Sequence, residues 1–307
     1  MSLQENCFLK VKNDYLNFLN KEEIYIKSTS AKIKNLKKIY IPISFWINSK
    51  CKKNGRTLFL GLSGSQGSGK TTFAGILKII LKNFFKKQIC VISIDDFYKT
   101  LSDRKSMSQQ KHPLFKTRGV PGTHDVNLII NFFKSIKKKK FKKIKLPKFD
   151  KSIDDRLKKS YWHNVYKKPE IIILEGWCVG AKAQTSYLLK KPVNNLEKNE
   201  DKNLIWRNYV NEKLKKEYKK VFAMINYFIF LKVPNLKMVF KWRHLQESKL
   251  KKISYNKKKI MSYSNIKRFI MFYQRITLQM MKDLGKSASV VMLLKNNHEI
   301  KKVLFKS

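Results

Sequence analysis

Short, continuously apolar runs alternate along the chain with longer segments in which apolar residues recur every three or four positions. The runs are residues 57–62, 89–94, 170–174, 227–231 and 289–294. Each has strand length and no polar alternation, which predicts parallel strands buried on both faces. Between them, Phe73, Ile76, Leu77, Ile80 and Phe84 follow helical spacing. Ile266, Phe269, Ile270, Tyr273, Ile276, Met280 and Leu284 do the same, a stripe that reads as core. Residues 41–47 predict a short helix leading into the first strand. The polar stretch 193–204 reads as a surface loop. The lysine run 137–143 reads as a solvated segment whose Phe141 packs inward. The pattern predicts an α/β fold of three layers, a mainly parallel sheet with helices on both faces. In open sheets of this kind ligands bind beyond the carboxyl ends of the strands.

The loop after the first strand is the most specific feature. Gly64, Ser65, Gln66, Gly67, Ser68, Gly69, Lys70, Thr71 and Thr72 fit G-x-x-x-x-G-K-[ST], with a strand before and a helix after. Glycines let the backbone turn sharply and aim N–H groups at phosphate oxygens, and the helix N-terminus attracts the same anion. Lys70 is expected on the β- and γ-phosphates of ATP and the Thr71 hydroxyl on Mg²⁺.

Charge changes the picture less than its size suggests. The 307 residues hold 68 Lys+Arg against 21 Asp+Glu, a formal net charge of +47. Only eight of the cations are Arg, the residue suited to bidentate phosphate and base recognition, and the lysines are dispersed. A specific nucleic-acid interface is therefore not expected, although weak adhesion to polyanions is. With 43% apolar residues the chain can fill a sizeable core. No run approaches the about 20 apolar residues of a membrane span. Four scattered cysteines suggest neither a disulfide framework nor a zinc cluster. A cytoplasmic monomer without a targeting segment is the expectation.

Two further strand ends carry acids. Asp95 and Asp96 close the second run, and Glu175 closes the third. A carboxylate at the first position can orient a hydroxyl and accept its proton during phosphoryl transfer. Asp95 is the expected base, Asp96 the group toward metal-bound water, and Glu175 the second acid of the Mg²⁺ shell. Helix capping remains open for both aspartates.

The stretches 61–72, 94–98 and 173–177 resemble the family that includes uridine kinase, pantothenate kinase and phosphoribulokinase. Three more, Thr117 to Asp125, Leu146 to Ser152 and Trp206 to Glu212, are similar to the plant and cyanobacterial D-glycerate 3-kinase family. The similarity covers about residues 40 to 300 and implies a P-loop kinase using ATP, Mg²⁺ and D-glycerate. It implies one domain over 1–307, with an N-terminal extension of helical or irregular structure at 1–40. An acceptor-binding excursion at 100–165 and a helical lid at 235–262 complete the division. It makes Asp95 the base, Tyr98, Arg118, Thr123, His124 and Asp125 substrate-side groups, and Arg243 a lid arginine on the transferred phosphate. Arg118 suits a carboxylate, and Asp125 or Asp150 suit hydroxyls. The spacer between Asp150 and Arg156 is shorter than the family pattern, which leaves Lys148 and Arg156 as open acceptor ligands. Another alcohol kinase on this scaffold, or a nucleic-acid-stimulated ATPase, stays as the alternative.

Overall fold

The computed structural model describes residues 1–22, 28–253 and 261–306. Ten strands occur in chain order: β1 (Leu58–Gly64), β2 (Ile89–Ser93), β3 (Ile144–Leu146), β4 (Phe149–Asp150), β5 (Asp155–Arg156), β6 (His163–Val165), β7 (Ile171–Gly176), β8 (Tyr227–Lys232), β9 (Val290–Leu294) and β10 (Ile300–Phe305). Six form the main sheet in the order β10-β9-β8-β1-β7-β2. The five apolar runs are its five mutually parallel strands. β10 is an addition to the predicted set and pairs antiparallel with β9. Its lysines break the apolar run, because an edge strand has one side in water.

The α-helices are α1 (Leu3–Lys21), α2 (Thr29–Asn35), α3 (Ile41–Asn54), α4 (Lys70–Asn83), α5 (Leu101–Gln110), α6 (Val126–Lys137), α7 (Ser186–Lys190), α8 (Asn195–Glu200), α9 (Ile205–Lys213), α10 (Lys219–Phe222), α11 (Leu236–Ile253) and α12 (Tyr263–Ser287). They cover both faces of the sheet, which explains the unbroken apolar strands. Ile171 and Ile173 face the core beneath α1, α3 and α4, whereas Ile172 and Leu174 face the core beneath α6, α9 and α12. Successive strand residues point to opposite faces, so both must be apolar.

Two expectations change. The N-terminal segment is more than an extension: Cys7, Val11, Tyr15 and Leu19 recur every fourth residue and are buried against α4. The helices approach so closely that a Cβ on Gly75 would stand 2.5 Å from the Phe18 ring, so any larger residue there must displace that ring. The stretch 193–204 is also no simple surface loop. It contains α8, and Glu197 and Asp201 are buried. Arg207 lies 3.2 Å from Glu197 and 3.1 Å from Asp201, and Arg275 lies 2.6 Å from Glu197. Four polar residues are thus buried because they pair with one another. Among the described residues no helix is long and apolar enough to cross a membrane. The predicted lid segment is described to Ile253 and again from Met261; its remainder lies outside the described residues.

Candidate active site

β1 ends at Gly64 in the middle of the sheet, and α4 begins six residues later at Lys70. Gly67 and Gly69 have φ of 74° and 86°, the left-handed region that lets the connection turn back on itself. Gly67 meets a second constraint, since a Cβ there would lie 2.9 Å from Trp242 Cβ on α11. Ser63, Ser65 and Ser68 carry buried hydroxyls with no hydrogen-bond partner among the described residues. Orphaned donors at the N-terminus of α4, beside a lysine, fit the phosphates of a nucleotide.

Lys70 Nζ donates to the carbonyl of Ser65 at 2.9 Å, so the side chain curls over the loop. Burial lowers its pKa, opposed by Glu175 and Asp95. The Thr71 hydroxyl donates to Glu175 Oε1 at 3.3 Å. Strand register sets this up, because β7 lies between β1 and β2 with Glu175 opposite Leu62 on one side and Ser93 on the other. Ser93 also donates to Glu175. Burial pushes the Glu175 carboxyl up, against the pull of Lys70. Among the described residues no three His, Cys, Asp or Glu side chains form a metal cluster. Thr71 and Glu175 suit Mg²⁺ in the manner of sites that leave most of the shell to phosphate and water.

Asp95 follows β2 in a single 3₁₀ turn, Ile94–Phe97, started by the Ser93 hydroxyl accepting from its backbone N–H. Its carboxylate accepts from Tyr98 Oη at 2.9 Å and pairs with Lys151 Nζ at 2.8 Å. Burial raises its pKa, but Lys151 and Tyr98 outweigh this and hold it below the ordinary value. Asp96 plays a different part. It accepts the backbone N–H of Phe149 at 3.3 Å, docking the β4–β5 hairpin, and burial pushes its pKa up. This hairpin contact stands beside the sequence expectation that Asp96 faces metal-bound water.

The predicted acceptor excursion, 100–165, folds over this carboxylate. Its shortened spacer closes as a hairpin in which Asp150 pairs with Asp155 and Asp154 adopts φ 57°. Asp154 ion-pairs with Arg104 and Arg118, and Arg118 lies 5.4 Å from the Phe149 ring centre. Arg156 reaches Asp125 at 3.1 Å. Asp125 also caps α6. Asp150 accepts from Ser152, while the Lys148 side chain is exposed. Thr123 is engaged inside its own turn, donating to the Val120 carbonyl and accepting from Gly119 N–H, so its hydroxyl shapes the loop. His124 is buried against Tyr98 and Tyr218. Lys151, Asp154, Arg104 and Tyr218 carry no signal in the sequence, for their partners lie 36 to 94 positions away.

Arg243 lies on α11 one residue beyond the Trp242 that touches Gly67. Its guanidinium pairs with Glu247 on the same helix and lies 5.2 Å from the Phe269 ring centre. The lid arginine predicted for the transferred phosphate is therefore engaged along its own helix, the i, i+4 pairing that its spacing permits.

A mainly parallel sheet with a phosphate-binding loop after a central strand, and carboxylates closing the next two strands on one side, β7 and β2, defines an ATP-dependent phosphotransferase with an alcohol acceptor. The profile of the phosphoribulokinase/uridine kinase family matches residues 59–190, and the chain belongs to that family. An uncharacterized kinase of Schizosaccharomyces pombe is 33% identical over 210 residues, 65% of this chain and 73% of the relative. The chloroplastic D-glycerate 3-kinase of Arabidopsis thaliana is 30% identical over 236 residues, 71% of this chain but 49% of that protein. Among solved structures, a D-glycerate 3-kinase from Cryptococcus neoformans superposes with a TM-score of 0.72 at 22% identity, covering 88% of this chain and 99% of that one. That likeness is one of fold.

Proposed function

We propose that the protein transfers the γ-phosphoryl group of ATP to the 3-hydroxyl of D-glycerate, giving 3-phosphoglycerate and ADP. The observation that carries this reading is the surrounding of Asp95. A carboxylate at a strand end, held by Tyr98 and Lys151, lies under a flap bearing Arg118 and Arg156. A small anionic alcohol needs cations for its carboxylate and one base for its hydroxyl. The Arabidopsis thaliana relative named D-glycerate 3-kinase supports the same acceptor.

In this mechanism the acceptor oxygen attacks the γ-phosphorus in line, its proton passes to Asp95, and the bond to the ADP oxygen breaks. Lys70 and the N-terminus of α4 neutralise the phosphates. Thr71 and Glu175 would hold Mg²⁺, which when bound neutralises charge on the phosphate oxygens. Arg118 or Arg156 exchanges its aspartate for the acceptor carboxylate, and Arg243 exchanges Glu247 for the transferred group as the lid closes over water.

The test is ATP consumption by the purified protein with Mg²⁺ and a panel of D-glycerate, L-glycerate, uridine, pantothenate and ribulose 5-phosphate, with products identified by NMR. Turnover of D-glycerate to the 3-phosphate is the expected result. A different acceptor would overturn the substrate assignment and keep the kinase. Turnover raised by DNA or RNA without any alcohol would overturn both.

A further inference from the structure

His124 is 1% exposed, its ring held between two tyrosines. Tyr98 stacks on it at 4.4 Å between ring centres, and the same Tyr98 donates its hydroxyl to Asp95. Tyr218 Oη lies 2.6 Å from His124 Nδ1. A ring this buried must find partners for both nitrogens, yet Nε2 has none among the described residues.

Proton positions follow from the partners of the Tyr218 oxygen. It accepts the backbone N–H of Gly122 at 3.0 Å, and the backbone N–H of His124 bears on the same atom. Gly122 already donates to this oxygen, and among the described residues the hydroxyl proton has His124 Nδ1, at 2.6 Å, as its acceptor. Nδ1 is therefore the acceptor, and a neutral imidazole accepting there carries its proton on Nε2. Burial lowers the ring's pKa to about 4, against a smaller opposing pull from Asp95, so the ring is neutral near pH 7. The charged groups that face it are Asp95 and Lys99. The two ring nitrogens point to opposite sides, so Nε2–H is aimed away from Tyr218.

Tyr218 reaches this position from an unusual backbone. It is the last residue of a π-helical turn, Leu214–Tyr218, inserted between α9 and α10. Such turns widen a helix and re-aim the side chains that follow, and they recur at functional sites.

We propose that Tyr218 is a positioning residue whose hydroxyl locks His124 in the Nε2–H form, as a fixed neutral donor to an oxygen of the acceptor beside Asp95. The proposal rests on the reading of this site as an alcohol kinase. A neutral donor suits this role better than an imidazolium. A second positive charge beside Asp95, added to that of Lys151, would weaken the base further, whereas a neutral N–H orients the acceptor without that cost.

The experiment uses the full chain labelled with nitrogen-15 histidine, and reads both ring nitrogens of His124 by long-range proton–nitrogen NMR between about pH 5 and pH 8. His124→Gln assigns the signals. An unchanging Nε2–H form is expected across the range. An Nδ1–H form, or an imidazolium at about pH 6, would overturn the proposal whether or not any variant folds. Tyr218→Phe is expected to mix the two forms and to raise the acceptor KM about five-fold or more, with the KM for ATP unmoved. A variant with mixed forms and an unchanged acceptor KM would overturn the positioning role. Absence of turnover with every alcohol of the panel would instead sink the kinase reading, and the role with it, while the tautomer stands as measured.

Discussion

Lys151 Nζ stands 2.8 Å from Asp95 Oδ2, joining the tip of a surface hairpin to the end of a buried strand. Burial alone would raise the Asp95 pKa, and Lys151 is the main reason that it is lowered instead. A base that must be ionised loses activity as pH falls through its pKa. Lys151→Met should therefore move the acid limb of kcat/KM to higher pH. An unmoved limb in a pH–rate profile would show that the ion pair does not set the ionisation of Asp95.

Lys70 carries the positive charge nearest the phosphate loop and reaches over it to the Ser65 carbonyl. Replacing one preorganised charge-stabilising group costs about 2 to 4 kcal/mol of transition-state stabilisation. Lys70→Ala should lose about 30-fold to 900-fold in kcat with an unchanged circular dichroism spectrum. Wild-type turnover in this variant would remove the loop from the chemistry.

Glu175 offers a test in which stability and activity move in opposite directions. Burial holds its folded pKa above 4.5, so ionised Glu175 costs stability at neutral pH. Below 4.5 the carboxyl is protonated in folded and unfolded protein alike, and the cost disappears. Glu175→Gln should thus melt higher than wild type at about pH 7, and the gain should shrink as pH falls toward 4.5. Its turnover should need more Mg²⁺. A lower melting temperature at neutral pH would contradict the cost assigned to this buried charge.

Arg275 is the main partner of Glu197, with hydrogen bonds of 2.8 and 2.6 Å to its two oxygens. Arg275→Met leaves part of a buried carboxylate uncompensated, which typically costs about 3 to 5 kcal/mol. Urea unfolding measures it. A loss below about 1 kcal/mol would mean that Arg207 satisfies Glu197 alone.

What the sequence revealed was local. The phosphate loop is nine consecutive residues between a strand and a helix, and five strands announce themselves because helices on both faces demand apolar residues at every position. Contacts between distant segments were not legible. Glu197 and Asp201 look like a wet loop because the arginines that bury them belong to α9 and α12. The motif Thr117 to Asp125 was legible as a unit but not residue by residue: Thr123 closes the turn, Asp125 caps α6, and His124 answers to Tyr218. Arg243 and Glu247 are a different case, where i, i+4 spacing permits the pair and family resemblance points Arg243 to another partner.

The family profile matches from residue 59, yet the molecule's mechanical unit begins far earlier. The ring of Tyr15 in α1 meets Tyr40 at 5.8 Å, and Tyr40 meets Phe73 at 5.8 Å, three residues past Lys70. An aromatic line thus braces the phosphate-loop turn from a segment that precedes the profile match. Cutting at the start of that match would strip one flank from α4, and the loop would fail by melting of its support, with every motif residue still in place.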